Sequence, residues 1–547
     1  MSFLSGRTDG ALIGGEQLKS GYDFSRRPDF WALLIVGVGT LARLWIIASG
    51  QLNLVQDEAQ YWDWTRHLQL TYYSKGPLIA WIIHTGTTIF GDTELGVRFG
   101  ALIGSLMTQV VIYCGLAKYW KRPTVALWTL FIANTAPFFL ASGVLMTTDN
   151  PFVLCFGICL FSLYAASSER DGKAPTLPFV ILAFALAVGI LAKYTMLGFP
   201  PLAFFFALVL AWRKELPAGF WSRFFVAMLA GIALGFLPTF IWNVQNDFVG
   251  YKHVFYLIGV AGQKAEHLIR FDRFPDYIGS QAGLITPWWL IFMLVGGARV
   301  VRNCLGLEAG GEDNRNLGLD FRKSLLLAVF FWPIWLFFLA WSFHSKVLPN
   351  WSAVSYVAGF IICGFYFDWF WRYSTSRWAR YKRVWVNLGV AVFLVLHFSY
   401  MLPLPDSINP LHRLKGWNDL GQKVYSLQES EFKNPEKVFV FSDLYDMTAA
   451  LAFYVPGQPR TYCAWLDRRM NQYDMWPGPQ DKKGWNAIYV AKRFHDTPEK
   501  GVEKMFKRIS PPIKYQTQFK GQPARKFTIF LCYGYNGKWP IDNSGQF

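Results

Sequence analysis

The chain has 547 residues, 53% of them hydrophobic, 18% aromatic and only 16% charged. A soluble domain carries about 25% charged residues, so much of this chain does not face water. The formal net charge is +17, but the lysines and arginines fall in short clusters between apolar runs, a pattern of multi-span membrane proteins and not of a nucleic-acid-binding surface. Seven cysteines do not make a disulfide scaffold in a chain of this size.

Residues 1–29 are polar and lack an apolar h-region, so they read as a cytoplasmic N-terminal segment with no cleaved signal. A span needs about 20 apolar residues, and about eleven stretches qualify: 30–49, 96–117, 125–141, 152–166, 177–191, 196–212, 224–242, 278–298, 325–341, 352–371 and 384–401. The basic clusters Arg26/Arg27, Lys118/Lys121/Arg122, Arg170/Lys173, Arg213/Lys214/Arg223, Arg299 to Lys323 and Arg372 to Arg383 then share one side, the cytoplasm. The loops 51–94, 142–150, 192–195, 243–277 and 342–351 fall on the other side, together with the tail. Within the first outer loop, 58–70 reads as an amphipathic interfacial helix and 77–90 as a juxtamembrane or re-entrant one. The loop 243–277 reads as a long lid.

The expected fold is an all-α polytopic membrane domain over 30–402, with a C-terminal extracytoplasmic α/β domain over 403–547. In that tail 411–426 has helical spacing, and 437–442, 460–465, 487–491, 513–519 and 526–533 read as strands. Helices are expected near 448–454 and 498–509. Cys463 and Cys532 lie in two of these strands; an oxidising compartment permits a bond between them, and two packed free thiols are the favoured alternative.

The first outer loop carries the chemistry most open to argument. Asp57 and Glu58 stand side by side, Lys75 precedes a Gly76-Pro77 turn, and Tyr61, Trp62, Trp64, Tyr72 and Tyr73 lie between. Aromatic rings of this kind collect at a membrane–water boundary. The acids read either as a helix start, with Asp57 as N-cap, or as a general base. Asp149, opening the fourth span as TTDNP, is again either a cap or a second acid on the same face. Lys75, Lys193 and Lys346 break the positive-inside pattern. With His344 and Trp351 beside Lys346, they are either unrelated surface groups or the holders of a lipid phosphate.

DEAQYWDW, SKGP followed by LIAWIIHTGTTIFGDTELGVRFGAL, TTDNPF, LAKYT and HSKVLPNW together resemble the GT-C class of integral-membrane glycosyltransferases. They are similar in particular to the bacterial branch that includes the lipid A aminoarabinose transferase and is distantly related to the protein O-mannosyltransferases. LAFYVPGQPR and RRMNQYDMWPGP in the tail resemble a bacterial subgroup. The resemblance implies transfer of a sugar from a polyprenyl-phosphate carrier to an acceptor on the non-cytoplasmic face of the bacterial inner membrane, with the tail periplasmic. It implies Asp57 and Asp149 as catalytic acids, and Lys75, Lys193, Lys346 and Trp351 around the donor phosphate; the reading of the residues themselves adds Glu58 to the acids and His344 to the phosphate holders. The expected acceptor is lipid A or lipopolysaccharide; a protein acceptor and a lipid-linked sugar transporter are the alternatives. Membrane lipids are expected partners and nucleic acid is not. No cofactor is identified, and a divalent cation is left open.

Overall fold

The computed structural model describes residues 27–169, 172–257, 271, 273–307, 317–375, 380–398, 414–466 and 468–540. Arg26, Arg170, Arg315 and Arg377 of the basic clusters, 258–270 of the expected lid and 403–413 of the tail lie outside them.

The membrane domain is built from α1 (Pro28–Ala48), α2 (Gln56–Thr65), α3 (Leu78–Phe90), α4 (Glu94–Tyr113), α5 (Pro123–Asn134), α6 (Pro137–Val144), α7 (Asp149–Ala166) and α8 (Thr176–Ala192). It continues through α9 (Phe199–Trp212), α10 (Phe220–Gln245), α11 (Val249–Leu257), α12 (Phe274–Ile285), α13 (Pro287–Cys304), α14 (Phe321–Trp341), α15 (Ser355–Tyr373) and α16 (Lys382–Phe398). Its outer surface is apolar, with Leu33, Leu41, Phe184 and Leu229 all exposed. Its interior holds a polar chain in which Arg43 donates to Asn134 and Asn134 donates to Gln109. That inversion suits a lipid solvent, where a polar side chain must find its partner inside the bundle.

The described residues of all eleven expected spans are mainly helical, but among them six helices are long and apolar enough to cross a membrane, or eight if two bent pairs each count once. The bends are 74° between α5 and α6 and 101° between α12 and α13. Each comes at a proline in the first turn of the second helix, where the missing N–H ends the previous hydrogen-bond ladder. At the second bend Thr286 also takes a φ of 76°. Of the remaining stretches, α8 and α16 have 17 residues each, and α15 carries Asp368 and Arg372.

In the tail, α17 (Trp417–Glu431), β1 (Val438–Ser442), α18 (Tyr445–Tyr454), β2 (Thr461–Cys463), β3 (Asn486–Lys492), β4 (Phe506–Ile509), β5 (Ile513–Phe519) and β6 (Gln522–Tyr535) form one sheet with helices against it. The order is β2-β1-β3-β6-β4, with β5 also on β6. β1 runs parallel to β2 and β3, while β6 is antiparallel to β3, β4 and β5. The expected helix over 498–509 does not form. Only a short 3-10 turn, Val502–Met505, precedes β4. The 14-residue β6 is longer than its hairpin partner β5, and its free edge pairs Phe506–Ile509, so tertiary pairing overrides local propensity. Cys463 and Cys532 are both free and buried. β1 and β3 lie between their strands, about 14 Å of sheet at ~4.8 Å per strand.

The tail and the first outer loop share one core. Trp62, Trp64, Tyr72 and Ile83 pack in the same cluster as Trp417, Leu451, Phe453 and Ile529. α2 is therefore not an interfacial helix: seven of its ten residues, Glu58 to Trp64, are buried. Polar bonds cross the same seam. Tyr454 Oη accepts from the Leu54 N–H and donates to Glu94 Oε1, Tyr473 Oη donates to Asp63, and the Trp417 N–H donates to Asn53.

Glu58 sits at the centre of this arrangement with no exposed surface. Arg98 Nη2 donates to Glu58 Oε2 at 2.8 Å and Arg98 Nε donates to Oε1 at 3.0 Å. The N–H groups of Val55 and Met146 complete its coordination at 2.9 and 2.8 Å. Removing one partner of a fully buried, hydrogen-bonded pair leaves the other charge uncompensated, at a cost of about 3–5 kcal/mol. Glu58→Gln is therefore expected to lower the thermal denaturation midpoint of the purified protein sharply. The double change Glu58→Gln with Arg98→Met should recover part of the loss; a Glu58→Gln midpoint equal to the parent's would contradict this role.

Candidate active site

Three chain segments meet above the ends of α7 and α8. The first is the start of α2. Its N-cap is Val55, whose apolar side chain caps nothing, and Glu58 at the third position accepts from the Val55 N–H, a one-sided cap. Glu58 thus caps the helix from its third position and Asp57 is not the N-cap, which corrects the helix-start reading of Asp57. Both oxygens of Glu58 are hydrogen-bonded inside the protein. Asp57, one residue earlier on the turn, keeps exposed surface. Protein still surrounds it: burial holds its carboxyl above the usual carboxylate range, the Lys75 charge opposes that rise, and Asp446 and Glu58 add to it.

The second segment is the SKGP turn. The Tyr72 N–H and the Thr71 hydroxyl both donate to the Lys75 carbonyl, which closes the loop on itself. Gly76 lies directly on the carbonyl of Leu191 near the end of α8, so close that a Cβ would collide with that oxygen. Gly76 is therefore the residue that lets this turn rest on α8. The consequence is that Lys75 comes near Lys193. Burial and then the Lys193 charge push the Lys75 ammonium below its usual range, while Asp57 and Asp149 oppose the shift. Lys75 Nζ has no hydrogen-bonded partner among the described residues.

The third segment is the start of α7. Asp149 does not cap that helix, whose N-cap is Thr148 with no side-chain bond. Its two oxygens instead bridge two other elements: Lys193 Nζ donates to Oδ1 at 2.6 Å, and Asn350 Nδ2 donates to Oδ2 at 2.6 Å. The Lys193 ammonium also lies 5.5 Å from the Phe152 ring centroid.

Asp57, Lys75, Asp149 and Lys193 are thus brought together. His344, Lys346 and Trp351 are not drawn into the cluster with them. His344 meets Trp341 edge-on, Lys346 is exposed, and Trp351 packs on Phe338. From that turn Asn350 reaches the site. A short neutral amide carried no signal among charged and aromatic neighbours, so sequence reasoning passed over it. Also missed were Tyr61, close enough to feel Asp57 and Asp149, Tyr445 of the tail, which feels Asp57, and Asp446 beside it, whose charge reaches Asp57. No spacing in the sequence links residue 57 to residue 446; only the packing of α18 on α2 does so. The divalent cation left open by the sequence finds no ligand set, since no group of three or more His, Cys, Asp or Glu suited to a metal occurs among the described residues. Both Asp149 oxygens are already engaged.

An acid and an unpartnered ammonium in one protein-walled cleft, with a second ammonium neutralised by a second acid, form a site for an anion beside a proton acceptor. Gly76→Ala should lift the turn off α8 and separate Lys75 from Lys193. A displaced ammonium grips an anion less well, so the dissociation constant for polyprenyl phosphate should rise about tenfold or more. Unaltered binding would show that the close approach does not position Lys75.

Known proteins are similar to this chain in sequence and in fold. Residues 74–242 match the family model described as dolichyl-phosphate-mannose-protein mannosyltransferase. The chain is 26% identical over 402 residues to the lipid A galacturonosyltransferase RgtD of Rhizobium johnstonii, covering 72% of this chain and 77% of that one. It is 23% identical over 285 residues to the undecaprenyl phosphate-alpha-4-amino-4-deoxy-L-arabinose arabinosyl transferase of Pseudomonas aeruginosa, a match that spans about half the length of that relative, 48%, and 49% of this chain. Among solved structures, ArnT from Cupriavidus metallidurans in the apo state superposes with a TM-score of 0.62 at 14% identity, over 92% of this chain and 98% of that one. The same protein bound to undecaprenyl phosphate gives 0.60 at 16% identity, with the same coverage. Fold and relatives together make the chain similar to the GT-C class of polyprenyl-phosphate-sugar glycosyltransferases.

Proposed function

We propose that the protein transfers a sugar from a polyprenyl-phosphate carrier to lipid A or lipopolysaccharide on the periplasmic face of the bacterial inner membrane. The observation that carries this reading is Lys75, an ammonium without a hydrogen-bonded partner, in the same cleft as Asp57. The relatives named for lipid A and for an undecaprenyl phosphate sugar support it. In this reading eleven helices cross the membrane, the N-terminus is cytoplasmic and the tail is periplasmic.

Lys75 takes the carrier phosphate. The acceptor oxygen attacks carbon 1 of the sugar from the face opposite that phosphate. As the bond from carbon 1 to the phosphate oxygen breaks, negative charge grows on the departing phosphate, where the fixed ammonium stabilises it. Asp57 accepts the proton of an acceptor hydroxyl, or orients an acceptor phosphate that is already ionised. A single displacement inverts the configuration and needs no protein nucleophile. Lys193, held by Asp149, keeps the second acid neutralised and Lys75 poised. The match to a protein mannosyltransferase model favours one second reading, a protein acceptor in place of the lipid.

Mass spectrometry of envelope lipids and glycoproteins, with and without the protein, tests the reading and separates the two acceptors. A loss of one sugar from lipid A supports the first; no change in either fraction would overturn both. In a reconstituted assay Asp57→Asn should lower turnover by about 10²–10⁴-fold, the usual share of acid–base catalysis, while carrier binding persists. Lys75→Met should weaken carrier binding by roughly 1.5–3 kcal/mol, and Lys346→Met, at the exposed lysine, should change it less than twofold, or about that.

The pH dependence follows from the same geometry. Asp57 must be ionised to accept a proton, and its carboxyl is raised by burial, so activity should fall on the acid side above the ordinary aspartate value of about 3.9. Asp446→Asn removes a negative neighbour that favours the protonated form, so the acid limb of the turnover profile should move to lower pH. A shift to higher pH would contradict the assignment.

A further inference from the structure

Two adjacent arginines in the tail behave differently. Arg468 is locked inside its loop: Nη1 and Nη2 donate to the two oxygens of Asp474 at 2.8 and 2.7 Å, and Nε donates to the Ala464 carbonyl. Asp474 also accepts from the Asn471 N–H, which closes a cap on the turn that follows. Arg469 is exposed, and its guanidinium has no hydrogen bond or ion pair among the described residues. Its charge acts on Tyr73 and His253 of the membrane domain and on Tyr445 of the tail.

A second, independent observation lies beside it. Tyr73 Oη, His253 Nδ1 and Gln472 Nε2 are all buried and all lack a hydrogen-bond partner. Their residues are 3%, 8% and 1% exposed. They belong together: the Tyr73 and His253 rings lie 4.5 Å apart, and the Tyr73 N–H donates to Gln472 Oε1 at 2.7 Å, which fixes the amide with its NH₂ unused. Buried polar groups in native proteins are nearly all paired, so three orphans in one place need an explanation. Burial, with Arg469 and Lys75 nearby, holds the His253 imidazole down to about 4 and therefore neutral. The group thus offers a phenol, an imidazole and an amide NH₂ beside a free guanidinium, a set rich in donors and positive charge.

We propose that Arg469, Tyr73, His253 and Gln472 form an anion subsite where the first outer loop, α11 and the tail meet, separate from the Lys75 position for the carrier phosphate. Its ligand is a negatively charged, acceptor-rich group of a substrate: a carboxylate on the transferred sugar or a phosphate on the lipid acceptor. The assignment of the ligand to a substrate rests on the glycosyl-transfer reading. A guanidinium grips either oxyanion through paired N–H bonds, and the neutral donors complete the shell without adding charge. The subsite joins residues from both domains, so the tail completes it.

Binding, read apart from turnover, tests this. The full-length protein in nanodiscs is titrated with undecaprenyl phosphate bearing a hexuronic acid or the matching neutral hexose, with lipid A carrying or lacking its phosphates, and with bare undecaprenyl phosphate. Arg469→Gln alters an exposed side chain, and Tyr73→Phe removes one hydroxyl, so both should fold. Each is expected to weaken an anionic ligand at least about tenfold while its neutral counterpart stays within about twofold. Loss confined to the uronyl carrier identifies the sugar carboxylate; loss confined to phosphorylated lipid A identifies the acceptor. Unchanged binding of both anionic ligands overturns the subsite, and so does an equal loss for charged and neutral ligands. Failure of the bare carrier to bind would instead count against the glycosyl-transfer reading, while the lipid A pair still decides the subsite.

Discussion

The buried Glu58 carboxylate is the interaction on which the site depends. It accepts from Arg98 on α4, from the Val55 N–H that begins α2, and from the Met146 N–H just before Asp149. One charge therefore ties three segments, two of which carry the acids of the cleft. A carboxylate in an apolar surround is costly unless every lone pair is met, and here all are met. The geometry this leaves is narrow: Asp57 on the free side of the first turn of α2, and Asp149 at the mouth of α7. The sequence reading made Asp57 and Glu58 a functional pair. In the structure one of them holds the frame and the other faces the cleft.

The same division recurs among the basic residues. Lys193 is spent on Asp149 and Arg468 on Asp474, while Lys75 and Arg469 stay free of ion pairs among the described residues. Paired charges at a membrane edge hold elements together; free ones in a cleft wait for a ligand. Asn350 follows this logic from the acid's side, because it takes the second oxygen of Asp149 and leaves that acid with little capacity of its own.

The tail is part of the cleft and not an appendage. Its α18 packs on α2, its Tyr454 bonds Leu54 and Glu94, and its Gln472 accepts from the Tyr73 backbone. The first outer loop is thus roofed by residues about 400 positions away in sequence. A loop shared between two domains is held to one conformation more tightly than either domain could hold it alone, which suits a site that must align a lipid carrier and an acceptor.

Much of this was legible in the residues. Long apolar runs marked the membrane helices because only a helix satisfies its own backbone in lipid, and alternating apolar patterns marked five of the six strands of the tail. Lys75 and Lys193 stood out because lysine there breaks the positive-inside pattern, and Asp57 and Asp149 because each is an acid at a helix start on the same face. What composition and spacing could not supply was pairing. The role of Glu58 depends on Arg98, that of Asp149 on Lys193 and Asn350, and β4 forms because β6 has an edge to fill. Each of these is a contact between segments far apart in the chain, where hydrogen-bond capacity is finite and one partner excludes another. The sequence by itself determined which groups had to be satisfied; only the tertiary structure decided which of them satisfy each other and which are left for a ligand.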